Sequence, residues 1–78
     1  MPGAGKVERR RRRVAIYHAI VEFWEKNNYP PSFEDIRIAA KVQSKTTVLD
    51  YVRELTELGY LTMTPGINRS ITLTDKVL

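Results

Sequence analysis

The pair Pro30-Pro31 constrains this chain more than any other feature, because it stands directly before a stretch with helical periodicity. A residue preceding proline is pushed out of the α region, so Tyr29-Pro30-Pro31 excludes helix up to Pro31 and forces a fresh start behind it. Ser32 can make that start. Its hydroxyl can cap the new helix while Asp35, three residues on, supplies the acid of a capping-box variant. A helix is therefore expected over about Phe33 to Ala40. The pattern pauses at Lys41-Val42-Gln43, and Ser44 offers a second cap to the backbone N–H of Thr46 or Thr47. Behind it Val48, Tyr51, Val52, Leu55 and Leu58 fall on one helical face, and Gly59 is the expected left-handed stop.

After that stop the period changes from 3.6 to 2. Tyr60-Leu61-Thr62-Met63-Thr64 and Ser70-Ile71-Thr72-Leu73-Thr74 alternate around Pro65-Gly66, which predicts a hairpin whose loop runs from Pro65 to Arg69. Upstream of the prolines, Ile16, Tyr17, Ile20 and Trp24 make one apolar stripe, with His18, Glu22, Glu25 and Lys26 pointing outward. Phe23 lies off that stripe, either flanking the core or forming a contact patch. The fold class is α+β, mainly α: three helices plus a two-stranded β-hairpin, a winged helix-turn-helix. Residues 1–13 read as a flexible basic arm and 14–78 as the folded domain.

Length and charge narrow the function. A chain of 78 residues supports one small core and no deep catalytic cleft. There is no cysteine and one histidine, the carboxylates are scattered, and Val7 after Lys6 spoils the faint phosphate-loop look of Gly3-Ala4-Gly5-Lys6. No catalytic group, metal site or cofactor is expected, and no small-molecule substrate. No apolar run approaches the roughly 20 residues that a bilayer requires, and the absence of cysteine suits a cytoplasmic setting. The net charge of +4 is unevenly placed: residues 1–13 carry six basic side chains and one acid, whereas the rest carries seven and eight. A bulk-charge argument for nucleic acid thus rests on Arg9, Arg10, Arg11, Arg12 and Arg13. Five positive charges oppose the dipole at a helix start, so the run is either a solvated stretch or an arm for phosphates.

Tyr29-Pro30-Pro31-Ser32, Ile36, Ser44, Val48, Leu55, Gly59-Tyr60-Leu61 and Arg69-Ser70-Ile71-Thr72-Leu73 together resemble the DNA-binding domain of LexA-type repressors, across roughly residues 10 to 73. The resemblance implies sequence-specific binding of double-stranded DNA, with the third helix in the major groove. Thr46, Thr47, Leu49 and Asp50 are then the base-contact candidates: hydroxyls or methyls from the threonines, apolar contact from Leu49, and acceptance from cytosine N4 by Asp50. Bacterial members often carry Asn and Glu at such positions, which implies a different operator. Ser32, Lys41, Ser44, Lys45 and Arg53 are phosphate candidates, and Asn68 and Arg69 are the wing's candidates for minor groove or phosphate. Each also has a plainer structural reading, as caps, first-turn residues or a solvated loop.

Two departures stand out. The family's first helix is not usually so basic at its start. Its turn position usually holds glycine where this chain has Lys41, and a left-handed lysine costs about 1 kcal/mol, offset if it meets a phosphate. The resemblance ends at the wing, so it implies nothing about the family's self-cleaving C-terminal domain with its serine–lysine pair. Binding by a homodimer, on DNA or through a further domain, is expected from the small area of one module. The reading from another class is a winged-helix protein-interaction module, favoured by the near-neutral globular part and by apolar Leu49 and Ile67.

Overall fold

The computed structural model describes the backbone from Ala4 to Leu78 and the side chains from Glu8 onward. Three helices, α1 (Ala4–Asn27), α2 (Phe33–Ala40) and α3 (Lys45–Glu57), precede two short strands, β1 (Leu61–Thr62) and β2 (Thr72–Leu73). The strands pair antiparallel, with Leu61 opposite Leu73 and Thr62 opposite Thr72. This is the expected winged helix-turn-helix, with strands shorter than the alternation suggested. No helix among the described residues is long and apolar enough to cross a membrane.

The caps are those the sequence requires. Ser32 Oγ accepts from Asp35 N–H at 3.1 Å, and the Asp35 carboxylate accepts from Ser32 N–H at 3.0 Å. Ser44 Oγ accepts from Thr47 N–H, which settles the choice between Thr46 and Thr47. At the end of α3 the Gly59 N–H donates to Thr56 O and the Tyr60 N–H to Leu55 O, a Schellman arrangement that needs Gly59 at φ 90°. The same arrangement ends α2: Lys41 N–H donates to Ile38 O and Val42 N–H to Arg37 O, with Lys41 in the glycine position at φ 58°. The left-handed lysine is therefore real.

Ile16, Tyr17, Ala19 and Ile20 of α1 pack on Ile36 of α2 and on Val48, Tyr51, Val52 and Leu55 of α3, with Leu61 and Ile71 closing the end. Trp24 is half-buried and its Nε1–H donates to Ile71 O at 3.1 Å, tying α1 to the residue that leads into the second strand. His18 is exposed, as expected. Leu58 is not part of the core face. It is the C-cap of α3 and remains 42% exposed.

The start of the chain differs from expectation more substantially. From Ala4 on, the flexible arm expected over residues 1–13 is instead the first half of α1, continuous with the core helix. The physical reason lies across the molecule: Arg9 donates to Glu54 at 2.9 Å, Arg13 bonds the same carboxylate, and the Arg9 guanidinium lies 5.2 Å from the Tyr51 ring centroid. Two arginines one turn apart thus dock the basic half of α1 on α3. Glu8 and Arg12 add an i,i+4 pair at 3.8 Å.

Candidate nucleic-acid interface

Because α3 buries Val48, Tyr51, Val52 and Leu55, the residues half a turn away form an outward ridge. Thr46, Asp50 and Arg53 on it are exposed, and Leu49 is half-buried. The four base-contact candidates do not stand alike. Thr46 and Asp50 are free at the surface, whereas the Thr47 hydroxyl lies 3.0 Å from Ser44 Oγ within the cap. Leu49 lines an apolar groove of about 690 Å³ between α3 and the wing, with Phe33, Met63 and Ile67. Arg53 stands at the edge of the same groove.

Of the phosphate candidates, Ser32, Ser44 and Lys45 stand at the helix starts, Lys41 ends α2 and Arg53 lies in the third turn of α3. The Ser32 hydroxyl is engaged in the α2 cap, which leaves it one proton to donate. Lys45 is exposed, with Nζ 3.9 Å from Glu34 Oε1. That glutamate is gripped by Arg37 through two bonds of 2.8 Å, and the Arg37 bonds, helped by Lys45, hold its carboxyl below the usual range. Lys45 is therefore only loosely tethered. At the α2–α3 turn a polar concavity of about 420 Å³ is lined by Lys41, Gln43, Ser44 and Thr47, and by Arg12 from α1.

The wing departs from expectation. Arg69 does not stand at a free tip: its Nη1 donates to Pro30 O at 3.1 Å and to Asp35 Oδ2 at 2.9 Å, and its guanidinium lies 5.2 and 5.9 Å from the Tyr29 and Phe23 ring centroids. Phe23, off the core stripe, is thus half of an aromatic seat for this arginine. Asp35 carries both the cap and this clip; the Ser32 N–H, then the Ser32 hydroxyl and after it the Arg69 charge, keep its carboxyl below the usual aspartate range. Asn68 and Ile67 remain exposed, Ile67 at 60%. Ser70 braces the loop: its Oγ accepts from Thr64 N–H and lies 3.0 and 2.9 Å from the Thr64 and Ile67 carbonyl oxygens. Neither Ser70 nor Met63 is signalled as part of the site by local pattern. Arg12 at the turn and Glu54 beneath the arginine run are likewise visible only once the helices are packed.

Residues 8–70 match the family model of the LexA DNA binding domain. The chain belongs to the LexA DNA-binding family. It is 38% identical over 56 residues to the LexA repressor of Moorella thermoacetica, an alignment that covers 72% of this chain and 27% of that protein. It is 36% identical over 67 residues to the LexA repressor of Corynebacterium diphtheriae, covering 86% and 27%. The chain thus spans about a quarter of the length of these LexA relatives. The matched residues run from Glu8 within α1 through α2, α3 and β1 to the end of the wing loop, so the ridge of α3 and both helix caps lie inside the family's DNA-binding module. This LexA-type domain shows no convergent group of three His, Asp or Glu side chains that could hold a metal, among the described residues.

Proposed function

We propose that the chain acts as a LexA-like transcriptional repressor, or as its DNA-binding module, by occupying an operator in double-stranded DNA with α3 in the major groove. The observation that carries this reading is the α3 ridge: Thr46 and Asp50 are exposed and half a turn from the core face, with Thr46 in the first turn behind the Ser44 cap. Thr46 and Asp50 are the leading base contacts, with Thr47 and Leu49 secondary because each is partly engaged within the protein. Ser44, Lys45, Lys41 and Arg53 are assigned to phosphates, and Ser32 contributes its remaining hydroxyl proton. In the wing, Asn68 is kept as a contact, while Arg69 is assigned to holding the wing in place. The smallness of one module supports paired binding by a homodimer. Cytoplasmic residence, at the nucleoid in a bacterial or phage setting, follows from the same reading.

Selection of bound sequences from random duplexes tests it. A defined operator is expected, and Thr46→Ala should cost about 1–3 kcal/mol on that operator and relax preference at one position, whereas Lys45→Ala should weaken all sequences alike. Enrichment of no sequence would remove the specific reading. The apolar groove of Phe33, Leu49, Met63 and Ile67 favours the second reading, a protein-interaction module. Under it Ile67→Ser leaves duplex binding untouched and abolishes capture of a protein partner.

A further inference from the structure

The arginine run is divided by the helix that carries it. Arg9 and Arg13, one turn apart, are committed to Glu54 on α3. Arg12 projects from a different side of α1 and lines the polar concavity at the α2–α3 turn together with a second cation, Lys41. Gln43, Ser44 and Thr47 supply polar lining, and Ala40 and Val42 complete it; no acid takes part. The one acid near Arg12 is Glu8, at 3.8 Å, and both side chains are more than half exposed, so a water-screened contact is all that a phosphate has to displace. Arg10 and Arg11 are also exposed but line neither concavity, and among the described residues neither has an ion-pair partner. The five arginines thus differ in kind although they are contiguous in sequence.

We infer that this concavity is a site for one backbone phosphate of the duplex, held between the Arg12 guanidinium and the Lys41 ammonium. A guanidinium fork matches the paired oxygens of a phosphodiester, and a lysine lining the same concavity neutralises that charge without a geometric demand. Arg9 and Arg13 act as positioning residues, because their hold on Glu54 fixes the helix from which Arg12 reaches the turn. The inference rests on the duplex-binding reading and adds to it a contact from α1, an element that a helix-turn-helix does not need for base readout.

The test compares Arg12→Gln with Arg10→Gln, which remove the same charge from neighbouring exposed positions of one helix. Binding of a random-sequence duplex is measured between about 50 and 200 mM salt, with backbone amide shifts of Gln43 and Ser44 followed by NMR. Loss of one phosphate contact lowers the slope of log affinity against log salt by about 0.9, so Arg12→Gln should weaken binding several-fold at the lower salt and flatten the slope by about that amount. Arg10→Gln should change the slope by less than half as much, and the duplex-induced shifts at Gln43 and Ser44 should shrink only in Arg12→Gln. Equal slopes and equal shifts in the two variants overturn the site and leave the run as diffuse charge. Absence of salt-sensitive duplex binding by the unmodified chain removes the underlying reading instead, so the two failures are told apart.

Discussion

At the scale of one residue, Lys41 carries a local backbone cost that its proposed phosphate contact would offset. Its φ of 58° and the two Schellman bonds around it define a position for glycine, and a side chain there is strained. Lys41→Gly is therefore expected to raise stability by about 0.5–1 kcal/mol in urea unfolding while weakening duplex binding, a pair of opposite changes. A variant that is both more stable and equally tight would leave the lysine without a role. Arg69 makes the converse case. Its bonds to Pro30 O and Asp35 and its seat on Phe23 and Tyr29 make it a structural clip, partly exposed. Arg69→Ala should cost about 1 kcal/mol of stability and leave the salt slope of duplex binding unchanged. A slope reduced by about 1 would show that the guanidinium leaves its seat for a phosphate.

At the scale of elements, the capping box of α2 and the wing are joined through one carboxylate. Asp35 has its native pKa depressed, first by the Ser32 N–H, then by the Ser32 hydroxyl and Arg69. A depressed carboxylate stabilises the fold fully above its ordinary value of about 3.9 and loses that contribution as pH falls through the lower native value. Asp35→Asn should thus cost about 1 kcal/mol at neutral pH, the usual worth of a helix cap, and the gap to the unmodified protein should close in acid. Chemical denaturation at a series of pH values checks it; a gap that stays constant into acid would remove Asp35 from the acid response. Both caps and the stop of α3 were legible in the sequence because each involves residues within five positions of one another: Ser32 with Asp35, Ser44 with Thr47, Gly59 with Thr56. The Arg12 wall, the Glu54 anchor and the Arg69 clip were not, since they join residues about 30 to 45 positions apart and no local period marks them. The same reason explains the start of the chain. Charge repulsion and the dipole argue against helix over Arg9–Arg13, and a distant glutamate reverses the outcome. Glu54→Ala should accordingly lower amide protection over residues 9–13 in hydrogen exchange, more than at Ile16 or Ile20 in the core.

At the scale of the whole molecule, the question is how much a single copy can achieve. One module of this kind buries on the order of 600–1,000 Å² of protein surface on DNA, and much of its affinity is salt-sensitive phosphate attraction. The curated relatives are almost four times longer than the matched segment, which leaves ample chain in them for pairing two modules. If pairing supplies the missing affinity, then joining two copies should reproduce it. A flexible Gly/Ser linker of about 40 residues spans about 35 Å on average, close to the 34–36 Å separation of half-sites one helical turn apart. Such a tandem protein is expected to bind a duplex with two selected half-sites about 10²–10⁴-fold more tightly than a single copy binds either one. On a duplex with one half-site the gain should vanish, apart from a factor of about two for having two heads. Equal affinity for both duplexes would mean that the second module does not engage, and the operator would then be read by one domain whose own contacts, Arg12 and Lys41 among them, must carry the binding.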